Sequence, residues 1–179
     1  MKKILLATAI VLGITTFSQN IIGTENVAMA QEKNMSTAFI NKLEKGTLPN
    51  AEGKVGMTLK TLKSKGKVSY YPAEEFSFYR SKNYDYGFSN TRYDQKVKNS
   101  SKIKIVTREY NFSFSKSSIK KKLGKQLPTY GQYGYQTKTD IYKVGKYYAM
   151  VFDIDKKTNV YVGTKTAICT AAWVDEIYD

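Results

Sequence analysis

The chain has 179 residues, with 29 lysines and arginines, 15 aspartates and glutamates, one cysteine and no histidine, and its formal net charge is +14. The lack of histidine removes the commonest general base, the usual catalytic triads and the ordinary zinc sites, and one cysteine excludes an internal disulfide. We therefore expect a non-enzymatic protein without cofactor or metal, whose positive charge attracts polyanions and anionic surfaces.

Residues 1–30 have the order of a secretory signal peptide. Two lysines precede an apolar run (4–17), and the triplet AMA (28–30) supplies a small-x-small cleavage site. The apolar run is about fourteen residues, shorter than the roughly 20 that a membrane-spanning helix needs. No later stretch is long or apolar enough to span. We expect an exported protein without a membrane span, either secreted or retained at the cell wall.

The next segment, residues 31–55, is predicted to form a short amphipathic helix followed by a turn-rich linker. Ser36 is suited to cap the helix and Gly46 to end it. Between them an apolar stripe covers one helical face. It consists of Phe39, Ile40 and Leu43.

Two later segments echo each other: MTLKTLKSKGKVSYYP (57–72) and FSKSSIKKKLGKQLPTYGQYGY (114–135). Each opens with a hydroxyl residue suited to N-capping, continues as a short lysine-rich helix and stops at a Gly-Lys pair. A repeat of about sixty residues is typical of one supersecondary unit that buries its apolar face against a second copy. The caps are Thr58 and Ser115, the apolar anchors are Leu59, Leu62, Ile119 and Leu123, and the stops are Gly66 and Gly124.

Strand-like runs follow each helix: EFSFYRS, YDYGFSN and SKIKIVTREY in the first copy, and TDIYK, KYYAMVFDI and TKTAICTAAWV in the second. Val144-Gly145 predicts a tight hairpin turn and residues 155–159 a longer one. A calcium loop over 153–164 is excluded, because the glycine and the terminal glutamate that it requires are missing. We expect an α+β fold of two tandem helix-plus-antiparallel-sheet units (56–110 and 111–179), with the helices packed on one face of the sheet.

Alternation assigns side chains to faces within these runs. In KIKIVTRE, Lys102, Lys104 and Arg108 are predicted to face water, whereas Ile103 and Ile105 face the core. In the last run, Cys169 is predicted to be a small buried core residue rather than a nucleophile.

Lysines interleaved with tyrosines suggest a binding surface. Lysines attract phosphates without regard to sequence, and exposed tyrosine rings can stack on bases, so this combination suits flexible nucleic acid. Structural roles compete with this interpretation, because lysines in a last helical turn complement the helix dipole and tyrosines pack in strands. The candidate nucleic-acid-binding residues are Lys60, Lys63, Lys65, Lys67, Lys102, Lys104, Arg108, Lys120, Lys121, Lys122, Lys125, Tyr130, Tyr133 and Tyr135.

The second copy carries two family resemblances. FSKSSIKKKLGK, a spacer and then KYYAMVFDID with a following strand resembles the immunodominant staphylococcal antigen B family of small basic exported proteins. This resemblance covers residues 112–170 best, and it implies an extracellular nucleic-acid binder at the host interface. The doubled helix-plus-sheet pattern also resembles the tandem-repeat fold of β-lactamase-inhibitor proteins, which implies a surface that binds and inhibits a partner protein.

Three functions therefore remain open. The first is an exported binder of DNA, RNA or another polyanion with little sequence preference. The second is a protein-binding inhibitor or immune-evasion factor that acts through its sheet, with tyrosines as anchors. The third is a cell-wall protein retained by charge alone.

Overall fold

A computed structural model describes residues 34–73, 75–89, 96–131 and 140–178, so the predicted signal segment lies outside the described residues. In these ranges no helix is long and apolar enough to cross a membrane. The helices are α1 (Thr37–Leu43), α2 (Leu59–Lys63), α3 (Lys116–Leu123) and α4 (Lys165–Ala172). The strands are β1 (Ser69–Pro72), β2 (Phe76–Ser81), β3 (Tyr84–Ser89), β4 (Ile105–Tyr110), β5 (Thr129–Gly131), β6 (Asp140–Val144), β7 (Tyr147–Ile154), β8 (Lys157–Gly163) and β9 (Val174–Ile177).

The predicted helix starts are confirmed. The hydroxyl oxygens of Ser36, Thr58 and Ser115 each accept a hydrogen bond from the backbone N–H three residues later. Gly124 caps the end of α3 at a φ of 81°, as its position predicts. Gly66 does not end α2, because that helix stops at Lys63 and is capped by Ser64.

One antiparallel sheet of seven strands forms the body of the structure, in the order β1-β2-β3-β4-β8-β7-β6. Its centre is the pairing of β4 with β8, which runs from Ile105 opposite Gly163 to Tyr110 opposite Thr158. The remaining strands, β5 and β9, form a separate two-stranded sheet. Strands on both sides of residue 110 therefore belong to one continuous sheet.

The expected α+β fold of two tandem helix-plus-sheet units is wrong. The structure is mainly a seven-stranded antiparallel sheet with a few short helices. The anchors of α2 and α3, Leu59, Leu62 and Ile119, all lie in one hydrophobic cluster rather than in two. Both segments do contain a capped helix, as their similarity predicts. However, the pairing of β4 with β8 joins the strands of both segments into one sheet. The tandem-repeat architecture implied by the second resemblance is therefore wrong as well.

Elements pack on both faces of the sheet, not on one. On the first face, α1, α2 and α3 enclose a cluster that includes Phe39, Leu62 and Tyr86. On the second face, α4 and the two-stranded sheet cover a smaller cluster around Ile105 and Ile168. Burial of apolar area on both sides stabilises the sheet and leaves the polar residues of the helices in water.

The last predicted strand is a helix. Residues 165–172 form α4, whose N-cap Thr164 accepts a hydrogen bond from Ala167 N–H. Ala167 and Ile168 face the core, so the apolar residues that suggested a strand instead form a helical stripe. Cys169 is half-buried on this helix rather than fully buried in a strand, and burial raises the pKa of its thiol.

Two further local predictions are corrected. The loop expected at 155–159 is a two-residue turn of Asp155 and Lys156, and β8 begins directly after it at Lys157. Ile103 and Ile105 are both buried, but they lie in the clusters on opposite faces of the sheet. Strand alternation cannot relate these two residues, because β4 begins only at Ile105. The tight hairpin at Gly145 is confirmed, with Val144 paired to Tyr147.

Candidate nucleic-acid interface

Helix α2 lies beside the segment 96–102, and this contact gathers lysines that are far apart in sequence. The backbone N–H groups of Leu59 and Lys60 donate to the carbonyl oxygens of Ser101 and Asn99, each at 2.9 Å. Thr58 forms a β-bridge with Lys102. We call four of the exposed lysines of this region the α2 cluster. It consists of Lys60, Lys63, Lys98 and Lys102.

Lys63 shows how the α2 cluster is held over the sheet. Its Nζ lies 3.4 Å from Asn99 Oδ1 and 5.5 Å from the centroid of the Tyr79 ring. The ring of Tyr79 in turn lies 5.2 Å from that of Tyr70, whose side chain is exposed. Tyr70 is therefore an aromatic side chain near the lysines. Its position close to Lys67 along the chain is a signal for this, but it is not among the candidate residues chosen from the sequence.

Helix α3 carries a second group, the α3 cluster, made of the exposed Lys120, Lys121 and Lys122. Ile119 is buried against the sheet, so the lysines that follow it are left on the solvent side of the helix. Lys122 Nζ lies 3.3 Å from Thr37 Oγ1, which places the cluster next to the start of α1. These lysines occupy the last turn, where they also complement the helix dipole.

A third group lies in an open groove of about 810 Å³ between the end of α1, the start of α2 and the turn that joins β6 to β7. We call these residues the groove lysines: Lys45, Lys54 and Lys146. Sequence patterns carry little sign of them, because they belong to three separate turns. The one available signal is the position of Lys146 directly before Tyr147, and its Nζ lies 5.3 Å from the centroid of that ring.

The three groups surround α1 and α2 on the first face of the sheet. The α3 cluster lies at the start of α1, and the groove lysines lie at its end. Thr58 and Thr61 line the groove as well, so it also adjoins the α2 cluster. Helix α1 has seven residues, which at 1.5 Å per residue separates its two ends by about 10 Å.

No lysine of the three groups lies within 4.0 Å of a carboxylate oxygen in the part of the chain that the structure describes. The ion pairs found there are Arg80 with Asp85, Lys82 with Glu52 and Lys157 with Glu109. Lys82 donates a hydrogen bond to Glu52 and lowers the pKa of that carboxyl, so Glu52 stays ionised. Its charge is already balanced by Lys82 and is not paired with a lysine of the three groups. Glu44 also lines the groove of Lys45, Lys54 and Lys146 and offsets part of their charge without forming an ion pair. The remaining positive charge of the three groups is left for a ligand or for solvent ions.

The remaining candidates are not gathered in the same way. Lys65, Lys67, Lys104 and Lys125 are exposed. Arg108 is half-buried between the rings of Tyr84 and Tyr110, so it does not share an open face with Lys102 and Lys104.

The predicted tyrosines lie apart from the lysine groups or outside the described residues. Tyr130 is exposed on β5, where its ring packs edge-on against that of Tyr178 at 5.2 Å, opposite Glu176 of β9. Tyr133 and Tyr135 lie outside the described residues. Among described residues, the exposed aromatic side chain next to a lysine group is therefore Tyr70 rather than Tyr130, and the half-buried Tyr147 lies beside Lys146.

Across the described ranges no three histidine, cysteine, aspartate or glutamate side chains come together in a way that could hold a metal ion. Comparison of the chain with protein-family models, with curated proteins and with solved structures finds no match.

Proposed function

We propose that the protein is an exported, non-enzymatic binder of nucleic acid or another polyanion. It contacts the polyanion through the α2 cluster, the α3 cluster and the groove lysines. The observation that supports this most is the set of ten exposed lysines on one face without a carboxylate partner among the described residues. The resemblance to the staphylococcal antigen B family implies the same activity.

The residue type favours contact with phosphates over reading of bases. A lysine ammonium is a compact point charge, and it lacks the planar fork with which arginine reads guanine or grips a phosphate. The cations of the proposed surface are all lysines. We therefore expect binding that depends strongly on salt and weakly on sequence.

A salt series tests this proposal. The purified protein is titrated by fluorescence anisotropy against labelled duplex DNA, single-stranded DNA, RNA and heparin at several salt concentrations. Neutralisation of roughly five phosphates predicts a slope of about −4.5 for the logarithm of the duplex binding constant against the logarithm of salt concentration. An isotherm that barely moves across the series contradicts the proposal. Weak DNA binding with firm binding of teichoic acid would instead indicate retention at the wall by charge.

The second face supports a different candidate function. Helix α4 covers β7 and β8, but at the β1–β2 side Tyr71 and Phe78 remain half-exposed and Arg80 exposed. We call these three residues the aromatic patch. The rings of Tyr71 and Phe78 are stacked with centroids 5.4 Å apart, and the Arg80 guanidinium lies 5.2 Å from the Tyr71 centroid.

Tyrosine and arginine are the residue types that carry much of the binding energy in protein interfaces. The aromatic patch therefore favours a protein partner, as an inhibitor or immune-evasion factor would require. Capture of partners from host fluid before and after nuclease treatment separates the two functions. Partners bridged by nucleic acid are lost after the treatment, whereas partners of the aromatic patch remain and are lost with Tyr71→Ala.

A further inference from the structure

A polar groove of about 440 Å³ lies at the end of the sheet opposite to the groove lysines. The pairing of β3 with β4 stops at Asp85 opposite Thr107, so β4 continues past the last paired row of β3. The groove occupies the space between the turn from β2 to β3 and this unpaired side of β4. Its volume falls within the roughly 300–1,000 Å³ that is usual for small-molecule sites.

Arg108 lies at this groove and is held in place before any ligand arrives. Its Nη1 donates a hydrogen bond to the Tyr84 hydroxyl at 2.7 Å, and that hydroxyl donates to the carbonyl oxygen of Pro49. The guanidinium carbon lies 4.4 Å from the centroid of the Tyr110 ring and 5.0 Å from that of Tyr84. Two rings and one hydrogen bond therefore fix the plane of the guanidinium.

The charge of Arg108 is not balanced within the described part of the chain. The other charged residues that line the groove have ion-pair partners: Arg80 binds Asp85 through two hydrogen bonds of 2.7 and 2.8 Å, Lys82 binds Glu52, and Glu109 binds Lys157. Arg108 has no carboxylate partner among described residues, and its buried Nε has no hydrogen-bond acceptor there. A buried Nε–H without an acceptor is costly to the fold unless water or an anion in the groove accepts from it.

The lining of the groove indicates which anion fits. Asp85 and Glu109 repel a multiply charged phosphate, whereas the single unbalanced cation suits a single negative charge. A planar carboxylate matches the planar guanidinium and can accept two parallel hydrogen bonds. Tyr110 and Phe112, aromatic residues on the same face as Arg108, also line the groove, next to the place of an apolar body attached to that carboxylate.

We infer that this groove binds a small organic carboxylate, with Arg108 as the residue that pairs with the carboxylate group. The site is separate from the three lysine groups and does not depend on binding of a polyanion. The carboxylate can belong to a free acid or to the C-terminus of a peptide. Arg108 recognises the same chemical group in both.

Nuclear magnetic resonance of the unmodified protein tests this directly, because a buried arginine Nε–H gives its own signal. Benzoate is the main probe, a short peptide with a free C-terminal carboxylate is the second, and inorganic phosphate is the comparison. We expect benzoate to shift the Arg108 Nε signal in a saturable way, and the peptide to do so only if chain termini are also accepted. A larger response to phosphate than to benzoate, or a benzoate response no greater at Arg108 than at the rest of the surface, overturns the inference.

Variants assign the effect to the residue. Arg108→Gln should weaken benzoate binding roughly tenfold or more, because a charge-assisted pair is lost. Arg108→Lys keeps the charge without the planar fork and should also weaken it. Lys125→Gln removes the same charge from an exposed position away from the groove and should leave benzoate binding unchanged. Equal benzoate affinity in folded Arg108→Gln contradicts the assignment. Arg108→Gln should also keep the salt dependence of DNA binding, so the two proposals fail independently.

Discussion

Tyr86 and Gly53 fit against each other where the linker after α1 crosses the sheet. The Tyr86 hydroxyl oxygen accepts hydrogen bonds from the backbone N–H groups of Gly53 at 3.2 Å and Glu52 at 3.0 Å. A Cβ at position 53 would lie 2.6 Å from Cε1 of the Tyr86 ring, so only glycine allows this approach. The contact also sets the position of the next residue, Lys54, which is one of the groove lysines.

Substitution on either side of this contact should destabilise the protein. Gly53→Ala forces the buried Tyr86 ring to move and should cost about 1–3 kcal/mol in the free energy of unfolding. Tyr86→Phe leaves two backbone N–H groups without their acceptor and should cost about 1–3 kcal/mol. Urea denaturation measures both. Gly66→Ala is the control, because its Cβ would meet only the Glu52 carboxylate at ordinary contact distance. A loss as large in Gly66→Ala as in Gly53→Ala would contradict the steric explanation.

The turn between β7 and β8 should gain stability from glycine. Asp155 and Lys156 have φ values of 49° and 63°, a left-handed conformation in which a side chain is unfavourable. Lys156→Gly removes that cost and should raise the free energy of unfolding by about 0.5–1 kcal/mol. The matched change Lys146→Gly, in the β6–β7 turn where Gly145 already takes the positive φ, should give no gain. A stabilised Lys146→Gly or a destabilised Lys156→Gly would show that backbone conformation does not decide the effect.

Local rules predicted the local features well. The caps at Ser36, Thr58 and Ser115 follow from a hydroxyl followed by helical spacing, and the turn at Gly145 follows from a glycine between two strand-like runs. These features depend on residues only a few positions apart. Helix α4 was missed although Thr164 is a good cap, because its apolar residues fit a strand pattern as well as a helical one.

The features that the sequence did not predict depend on contacts between distant residues. Nothing local specifies that Val106 of β4 pairs with Val162 of β8, yet this pairing turns two apparent units into one sheet. The groove lysines come together only because Gly46 packs against the Tyr147 ring and so brings the end of α1 to the β6–β7 turn. The position of Arg108 between two tyrosine rings likewise depends on the fold, although its place in the strand was predicted.

Stability should fall at alkaline pH because several tyrosines are buried. Burial raises the pKa of Tyr142 from 10.0 to about 12 and also raises the pKa values of Tyr86 and Tyr161. The folded state binds these protons more tightly than the unfolded state, so their contribution is complete below about pH 10 and is lost as the pH rises through the folded values. Urea denaturation at several pH values, with tyrosinate absorbance as a second signal, measures this loss.

Tyr142→Phe is the control for the alkaline series, because lysines titrate in the same range in both proteins. The variant lacks one of the shifted groups, so its stability should fall less steeply above pH 10 than that of the parent. Parallel curves for the two proteins would mean that Tyr142 ionises equally easily in the folded and unfolded states.

The α2 and α3 clusters should contribute separately to polyanion binding. Replacing Lys60, Lys63 and Lys102 by glutamine, or Lys120, Lys121 and Lys122, removes three exposed charges and should leave the folded state intact. If each set contacts two of the roughly five phosphates, each triple variant should reduce the magnitude of the salt slope on duplex DNA by about 1.8. The control replaces Lys82, Lys156 and Lys157 by glutamine. These lysines lie at the β2–β3 and β7–β8 turns, at the end of the sheet opposite to the groove lysines, so the control removes the same net charge from a different place. If all three variants weaken binding equally, net charge alone accounts for the affinity; if only one lysine triple does, that helix carries the interface.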